Sequence, residues 1–187
     1  EFISYFENTD IQASLNNYII YGGMSGAYVY VEQSERFKYI QNVWDTLILR
    51  DIKQKYKLRN KTGIERMSDF MMDNISNITT SRNIASTLSS AQESITYRTV
   101  STYMNYLCSA FAFYKFRRYD VRGKKYLSSG EKYYLCDHAF KYAKLGIKNL
   151  DFGRTLENIV AMELRRRGYE VYVGVLYKAE IDFVAIR

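Results

Sequence analysis

The sequence predicts an α+β fold in which helices lead, a basic β-hairpin follows, and a long helix with two strands closes the chain. Three observations carry that expectation. Apolar residues recur at helical spacing from about Glu32 onward, alternate between about Phe111 and Asp137, and return to helical spacing before two final strands. Hydrophobic residues make up 47% of the 187 residues, enough for the core of one ordinary domain or two small ones. Proline is absent. Element ends must therefore be read from glycines, capping residues and changes of period.

The first break is YGGMSG, Tyr21 to Gly26, which lacks the following Lys and Ser/Thr of a phosphate-binding loop and so reads as a turn. A long helix follows from about Glu32 to Lys57, with Phe37, Ile40, Val43, Trp44, Leu47, Ile48 and Ile52 on its apolar face. Trp44 is expected in the core. A second helix, about Ile64 to Ile75, buries Met67, Phe70, Met71 and Ile75. Ser81 is placed to cap a helix burying Ile84, Ala85 and Leu88, and Thr96 one burying Val100, Tyr103, Met104, Leu107 and Phe111. A polar linker separates them. FAFYKFRRYDVRGKKYL and KYYLCD then alternate as strands joined around Gly123 and Gly130. Two helices followed by a hairpin read as a winged helix-turn-helix. After Asp137 a helix carries Phe140, Tyr142, Ala143 and Leu145 and stops at Gly146. DFGRTLENIVAMELRRRG gives a further helix, with Phe152, Leu156, Ile159, Val160 and Leu164 as its apolar stripe, ended by Gly168. YEVYVGVLY and AEIDFVAIR read as the closing strands.

Charge is uneven. The net value is +7, yet residues 1–35 hold five acids and no Lys or Arg, which leaves +12 on the remainder and suggests a boundary near Arg36. That basic part can face nucleic acid, an acidic protein or only water. Cys108 and Cys136 lack C-x-x-C spacing and read as reduced, buried thiols. No apolar run reaches the roughly 20 residues of a membrane span, and no signal peptide is visible. A cytoplasmic protein without a membrane partner is the expectation. Glu1 in place of Met and a final strand running to Arg187 suggest a segment of a longer protein.

Seven cations (Lys115, Arg117, Arg118, Arg122, Lys124, Lys125, Lys132) face two acids across the hairpin. Such a wing suits a phosphate backbone. The second helix of the pair offers Arg98, Ser101, Thr102 and Asn105 on its outward face, residue types that contact base edges or phosphates. The bland reading is a solvated hairpin used for protein contacts, with 19 tyrosines supplying surface. Near the end of the chain, Glu180 and Asp182 lie two apart and so share one face of their strand. Paired carboxylates of that kind can hold Mg²⁺ for phosphodiester hydrolysis, or form a structural pair at a sheet end. His138 is the only histidine, which excludes a Ser-His-Asp site within the chain. A surface or helix-entry role is expected for it.

In order, NYIIYGGMSG, LILRDIKQKY, SRNIASTL, TVSTYMNYLCSA, FRRYDVRGKKYL, KYYLCDHAF, GRTLENIVAMELRRRGYEVYVG and EIDFVAIR resemble the C-terminal half of a family of predicted AAA+ ATPases. The resemblance implies that residues 1 to about 30 are the tail of an ATPase lid and that the Walker motifs lie upstream. ATP and Mg²⁺ are then expected for the whole protein and neither for this segment. Met24 and Ser25 stand where the family usually has proline, and His138 and Ala139 replace a Pro-Gly-like pair. GRTLENIVAMELRRRGYEV is also similar to the first helix of restriction-endonuclease-like nucleases, archaeal Holliday junction resolvases among them. By that resemblance Glu157 and Asp182 are metal ligands, with Glu180 beside them, and a third strand bearing Glu-x-Lys should follow. Five residues remain after Asp182 and contain no such motif. Glu163, nearer the middle of the helical stripe, competes with Glu157; paired with an arginine it would be structural.

The expected partition is an ATPase-lid remnant at 1–35, a helical connector at 36–76, a winged helix-turn-helix at 77–136 and a truncated restriction-endonuclease-like domain at 137–187. The expected role is a nucleic-acid-recognition and regulatory region, binding DNA and not catalytic by itself. Alternatives are a module for protein contact or self-assembly, and a metal-dependent nuclease in the intact protein.

Overall fold

The computed structural model describes residues 10–58, 61–89, 95–147, 151–177 and 179–187. The polar linker at 90–94 and the acids Glu1 and Glu7 lie outside the described residues. Helix α1 (Ile11–Tyr21) begins at Asp10, whose Oδ1 accepts the Ala13 amide at 2.9 Å. Its end is set by Gly22, at φ +69°. There an added Cβ would lie 2.0 Å from Asp137 Oδ1, so both the backbone angle and the close approach demand glycine. Asp137 grips this turn by accepting the Gly23 amide, while His138, buried, donates from Nε2 to the Tyr18 carbonyl at 2.8 Å. His138 is therefore buried against the last turn of α1, and not at the surface; its side chain makes no capping bond to the helix that follows it.

A short 3₁₀ turn (Ser25–Val29) leads to α2 (Gln33–Thr46), which runs without a break into a π-helical stretch, Leu47–Gln54. Ile40, Trp44, Ile48 and Ile52, four residues apart, are all buried, as their spacing predicts. Helix α3 (Lys61–Asp73) buries Ile64, Met67, Met71 and Met72. Then come α4 (Ser81–Leu88) and α5 (Tyr97–Ser109). Thr80, and not Ser81, caps α4, because its extended backbone aims Oγ1 at the Asn83 amide, 3.2 Å away. Thr96 caps α5 as expected. Val100, Tyr103, Met104 and Leu107 are buried, but Phe111 is 68% exposed. The helix has ended by then, and Phe111 adopts φ +56° to turn the chain into the sheet.

Strands β1 (Phe113–Asp120) and β2 (Lys125–Leu135) pair antiparallel. Gly130 does not join two strands: it lies inside β2 at φ +77°, where the register shifts between the Arg117↔Glu131 and Tyr119↔Tyr126 pairs. Helices α6 (Ala139–Leu145) and α7 (Phe152–Arg166) follow, then β3 (Glu170–Leu176) and β4 (Ala179–Ile186). The sheet order is β2-β1-β3-β4, with β3 parallel to β1 and antiparallel to β4. This mixed sheet with its helices is the α+β class the periodicities predict.

One strand serves two cores. Phe113 packs in a large cluster with Trp44, Met67, Leu107 and Phe140, whereas Phe116 packs with Tyr134, Ala161, Val171 and Val173 beneath α7. The α7 stripe is a correction to the sequence analysis. Phe152, Leu156 and Val160 are 48%, 42% and 46% exposed, while Thr155, Asn158 and Ala161 are buried. The reason is polar. Asn158 Oδ1 accepts the Leu135 amide at 2.7 Å and its Nδ2 donates to the Leu135 carbonyl at 3.0 Å, while the Thr155 and Tyr142 hydroxyls bond at 2.7 Å. Satisfying the end of β2 outweighs hiding three large side chains.

Candidate functional site

Three elements converge on one ammonium group. Residues 132 and 134 share a face of β2, and α7 lays Glu157 against it. From β4, Glu180 and Asp182 reach the same place. Lys132 Nζ lies 2.8 Å from Glu157 Oε1, 2.5 Å from Glu180 Oε1 and 3.7 Å from Asp182 Oδ1. The Tyr134 hydroxyl donates to Glu157 Oε1 as well, at 2.8 Å. Exposure is graded: the lysine side chain is 3% exposed, Glu157 17%, Glu180 38% and Asp182 64%. The cluster thus opens from a buried base towards solvent.

Burial pulls the Lys132 ammonium down, but its hydrogen bonds to Glu157 and Glu180 outweigh that and leave it above the usual lysine value. Burial first, and then the bond to Glu157, push the Tyr134 phenol up. The lysine is a full cation at neutral pH and the phenol a neutral donor.

The structure brings Glu157, Glu180 and Asp182 together, as the sequence analysis expects. It leaves Glu163 out, since that carboxylate accepts from Arg166 and Arg167, each at 2.7 Å, and their hydrogen bonds lower it to about 2. The missed member is Lys132. In the sequence it is one of seven hairpin cations, and the nuclease resemblance places a lysine only after Asp182. One signal was available: Lys132 lies two residues before Tyr134 in an apolar strand, which places a charge on the same face as an aromatic residue.

The three carboxylates are hard oxygen donors of the kind Mg²⁺ takes. Their oxygens nevertheless converge on an ammonium, and among the described residues no group of three or more His, Cys, Asp or Glu is arranged to hold a metal. The donor set does not fit Mg²⁺ while Lys132 stays in place.

The hairpin carries the other expected residues. Arg117, Arg122, Lys124 and Lys125 are exposed and form no ion pair among the described residues. Arg118 is half-buried, with an Nε lacking a partner among the described residues. Lys115 leans on Glu131 at 3.7 Å. On α5, Arg98, Ser101, Thr102 and Asn105 all face solvent. Thr102 spends its hydroxyl on the Arg98 carbonyl. Cys108 and Cys136 are free, and burial pushes them up to about 11 and about 12, so neither is a thiolate at neutral pH. A groove of about 1050 Å³ runs between Tyr18, Gly23, Asp137 and the outer end of α7. Its acids are already engaged, Asp137 by backbone amides and Glu163 by arginines. No helix among the described residues is long and apolar enough to cross a membrane.

Residues 12–151 match the family described as a domain of unknown function, DUF8612, and the chain belongs to that family. An uncharacterised protein of Haemophilus influenzae is 33% identical over 184 residues, covering 96% of this chain and 46% of that protein. An uncharacterised protein of Methanocaldococcus jannaschii is 24% identical over 185 residues, covering 97% of this chain and 41% of that protein. The chain spans less than half the length of these relatives. No solved structure matches it.

Proposed function

We propose that this chain is a nucleic-acid-binding and regulatory region, made of a winged helix-turn-helix and a restriction-endonuclease-like core that does not itself cleave. One observation carries the reading: Arg117, Arg122, Lys124 and Lys125 are exposed on one hairpin and form no ion pair among the described residues. Cations left free in that way gain by replacing the counterions of a phosphate backbone. The order α4, α5, β1, β2 supports the winged-helix assignment, and the solvent face of α5 supports its use as a recognition helix. The acids of α7 and β4 on one side of the sheet support a nuclease-like ancestry. Lys132 in their midst favours a core kept for binding, since it supplies the positive charge that a metal-dependent nuclease takes from its ion. We place the ATP- and Mg²⁺-dependent chemistry suggested by the AAA+ resemblance in the rest of a longer protein; the greater length of the relatives supports this.

A second reading, a protein-contact module, is favoured by the exposed stripe of Phe152, Leu156 and Val160 on α7. Gel-shift titration at low salt separates the two. Binding of labelled oligonucleotides that disappears when Arg117, Arg122, Lys124 and Lys125 are all changed to Ala is expected. No binding at low salt, together with salt-insensitive oligomers that Leu156→Ser disperses, would sink the first reading and leave the second.

A further inference from the structure

We propose that the tips of the two hairpins form a stacking platform for unpaired bases, so that this surface of the chain takes single-stranded nucleic acid. The inference rests on the nucleic-acid reading above and names its ligand class. Tyr119, Tyr126 and Tyr172 come from three different strands, β1, β2 and β3, yet their ring centroids lie 5.3 to 5.9 Å apart. Tyr172 alternates with Val171 and Val173, which pack beneath α7, so this aromatic group sits on the opposite face of the sheet. The Val121 amide donates to the Val175 carbonyl at 3.0 Å and pins the tip of the β1–β2 hairpin to β3. The Arg122 guanidinium then lies 5.0 Å over the ring of Tyr177, in the turn before β4. Two hairpins far apart in sequence thus present one surface.

Packing alone does not account for the outer rings. Tyr126 is 57% exposed and Tyr177 73% exposed. Cross-strand tyrosines that only stabilise a sheet cover one another; these leave most of their surface in water, with the Arg122 guanidinium over Tyr177 and the exposed Lys124 and Lys125 in the same hairpin. Aromatic faces next to free cations meet the two needs of a single strand, stacking for the bases and positive charge for the phosphates. In a duplex the base faces are already stacked on their neighbours. Two acids lie close by. Asp120 is tied to the Arg122 and Gly123 amides, and Glu170 accepts from the Tyr172 hydroxyl at 3.0 Å. The phosphates are therefore expected on the Arg122 and Lys125 side and away from Glu170.

Fluorescence anisotropy of the 187-residue chain with a labelled oligothymidylate of about 16 nucleotides, and with a duplex of equal length, tests the inference. The single strand is expected to bind more tightly. The double variant Tyr126→Ala, Tyr177→Ala is expected to weaken single-strand binding about tenfold or more and to leave duplex binding unchanged. Tyr126→Phe with Tyr177→Phe keeps both rings and is expected to bind as the parent does, which separates stacking from any effect of the hydroxyls. Equal affinity for duplex and single strand, with neither altered by loss of the rings, overturns the platform while the nucleic-acid reading stands. Absence of binding to either oligonucleotide at low salt overturns both.

Discussion

Lys132 illustrates how a charge is kept inside a small core. Its side chain is 3% exposed, and removing an ammonium from water costs several kcal/mol unless hydrogen bonds and opposite charge make up for it. Glu157 and Glu180 do so at hydrogen-bond distance, and Asp182 adds a longer attraction. Lys132→Met leaves the carboxylates crowded without their cation. It should lower unfolding stability in urea by about 3 kcal/mol, at the low end for a broken buried pair because Glu180 and Asp182 are partly in water. Adding Glu157→Gln should recover part of the loss. Because folding raises the lysine above its ordinary value of about 10.4, its contribution is complete below that pH and fades as pH rises through the folded value. The stability gap between parent and Lys132→Met should stay level from neutral pH to about pH 10 and narrow above it. Phenols such as Tyr134, also held up by burial, weaken both proteins there, so the gap isolates the lysine. At this scale the acids were legible in the sequence, through the i, i+2 spacing of Glu180 and Asp182 and the helix motif around Glu157. Lys132 was not, because its partners lie 25 or more residues downstream and only the sheet brings them near.

Helix α7 shows where periodicity misleads. The sequence offers Phe152, Leu156 and Val160 as the natural inward stripe, and hydrophobicity alone favours it. The fold instead turns inward Thr155, Asn158 and Ala161, because the buried end of β2 has an amide and a carbonyl at Leu135 that need partners. Small polar residues let the helix come close enough to supply them. Urea denaturation ranks the two faces. Asn158→Ala strands both Leu135 groups in the interior and should cost about 3 kcal/mol. Leu156→Ala, on the face turned to solvent, should change stability by about 0.5 kcal/mol or less. If α7 buried the stripe its hydrophobicity suggests, that order would reverse. In α2 with the π-helical stretch after it, and in α5 as far as Leu107, apolar spacing does mark the buried face: Ile40, Trp44, Ile48 and Ile52, like Val100, Tyr103, Met104 and Leu107, all pack in the one large hydrophobic cluster, and no strand end there asks for a polar partner from them.

Over the whole molecule, the two cores share β1, with Phe113 in one and Phe116 in the other. The hairpin tip is thereby anchored to both the helical half and the sheet half, while its basic end reaches into solvent. The order of elements was legible because most changes of period coincide with a glycine or a capping residue; the turn from α5 into β1, at Ala110 and Phe111, has neither. The parallel pairing of β3 with β1 was not, since nothing local in either strand specifies a partner more than 50 residues away. If the free cations of this hairpin hold nucleic acid, affinity falls as salt rises, and that dependence is the sharpest test of the nucleic-acid reading. Each phosphate neutralised adds about −0.7, for a single strand, or −0.9, for a duplex, to the slope of log affinity against log salt concentration. The parent chain should show a steep negative slope, and changing Arg117, Arg122, Lys124 and Lys125 to Ala should flatten it by about 3. An affinity that ignores salt, or a slope unchanged by those four substitutions, would contradict it.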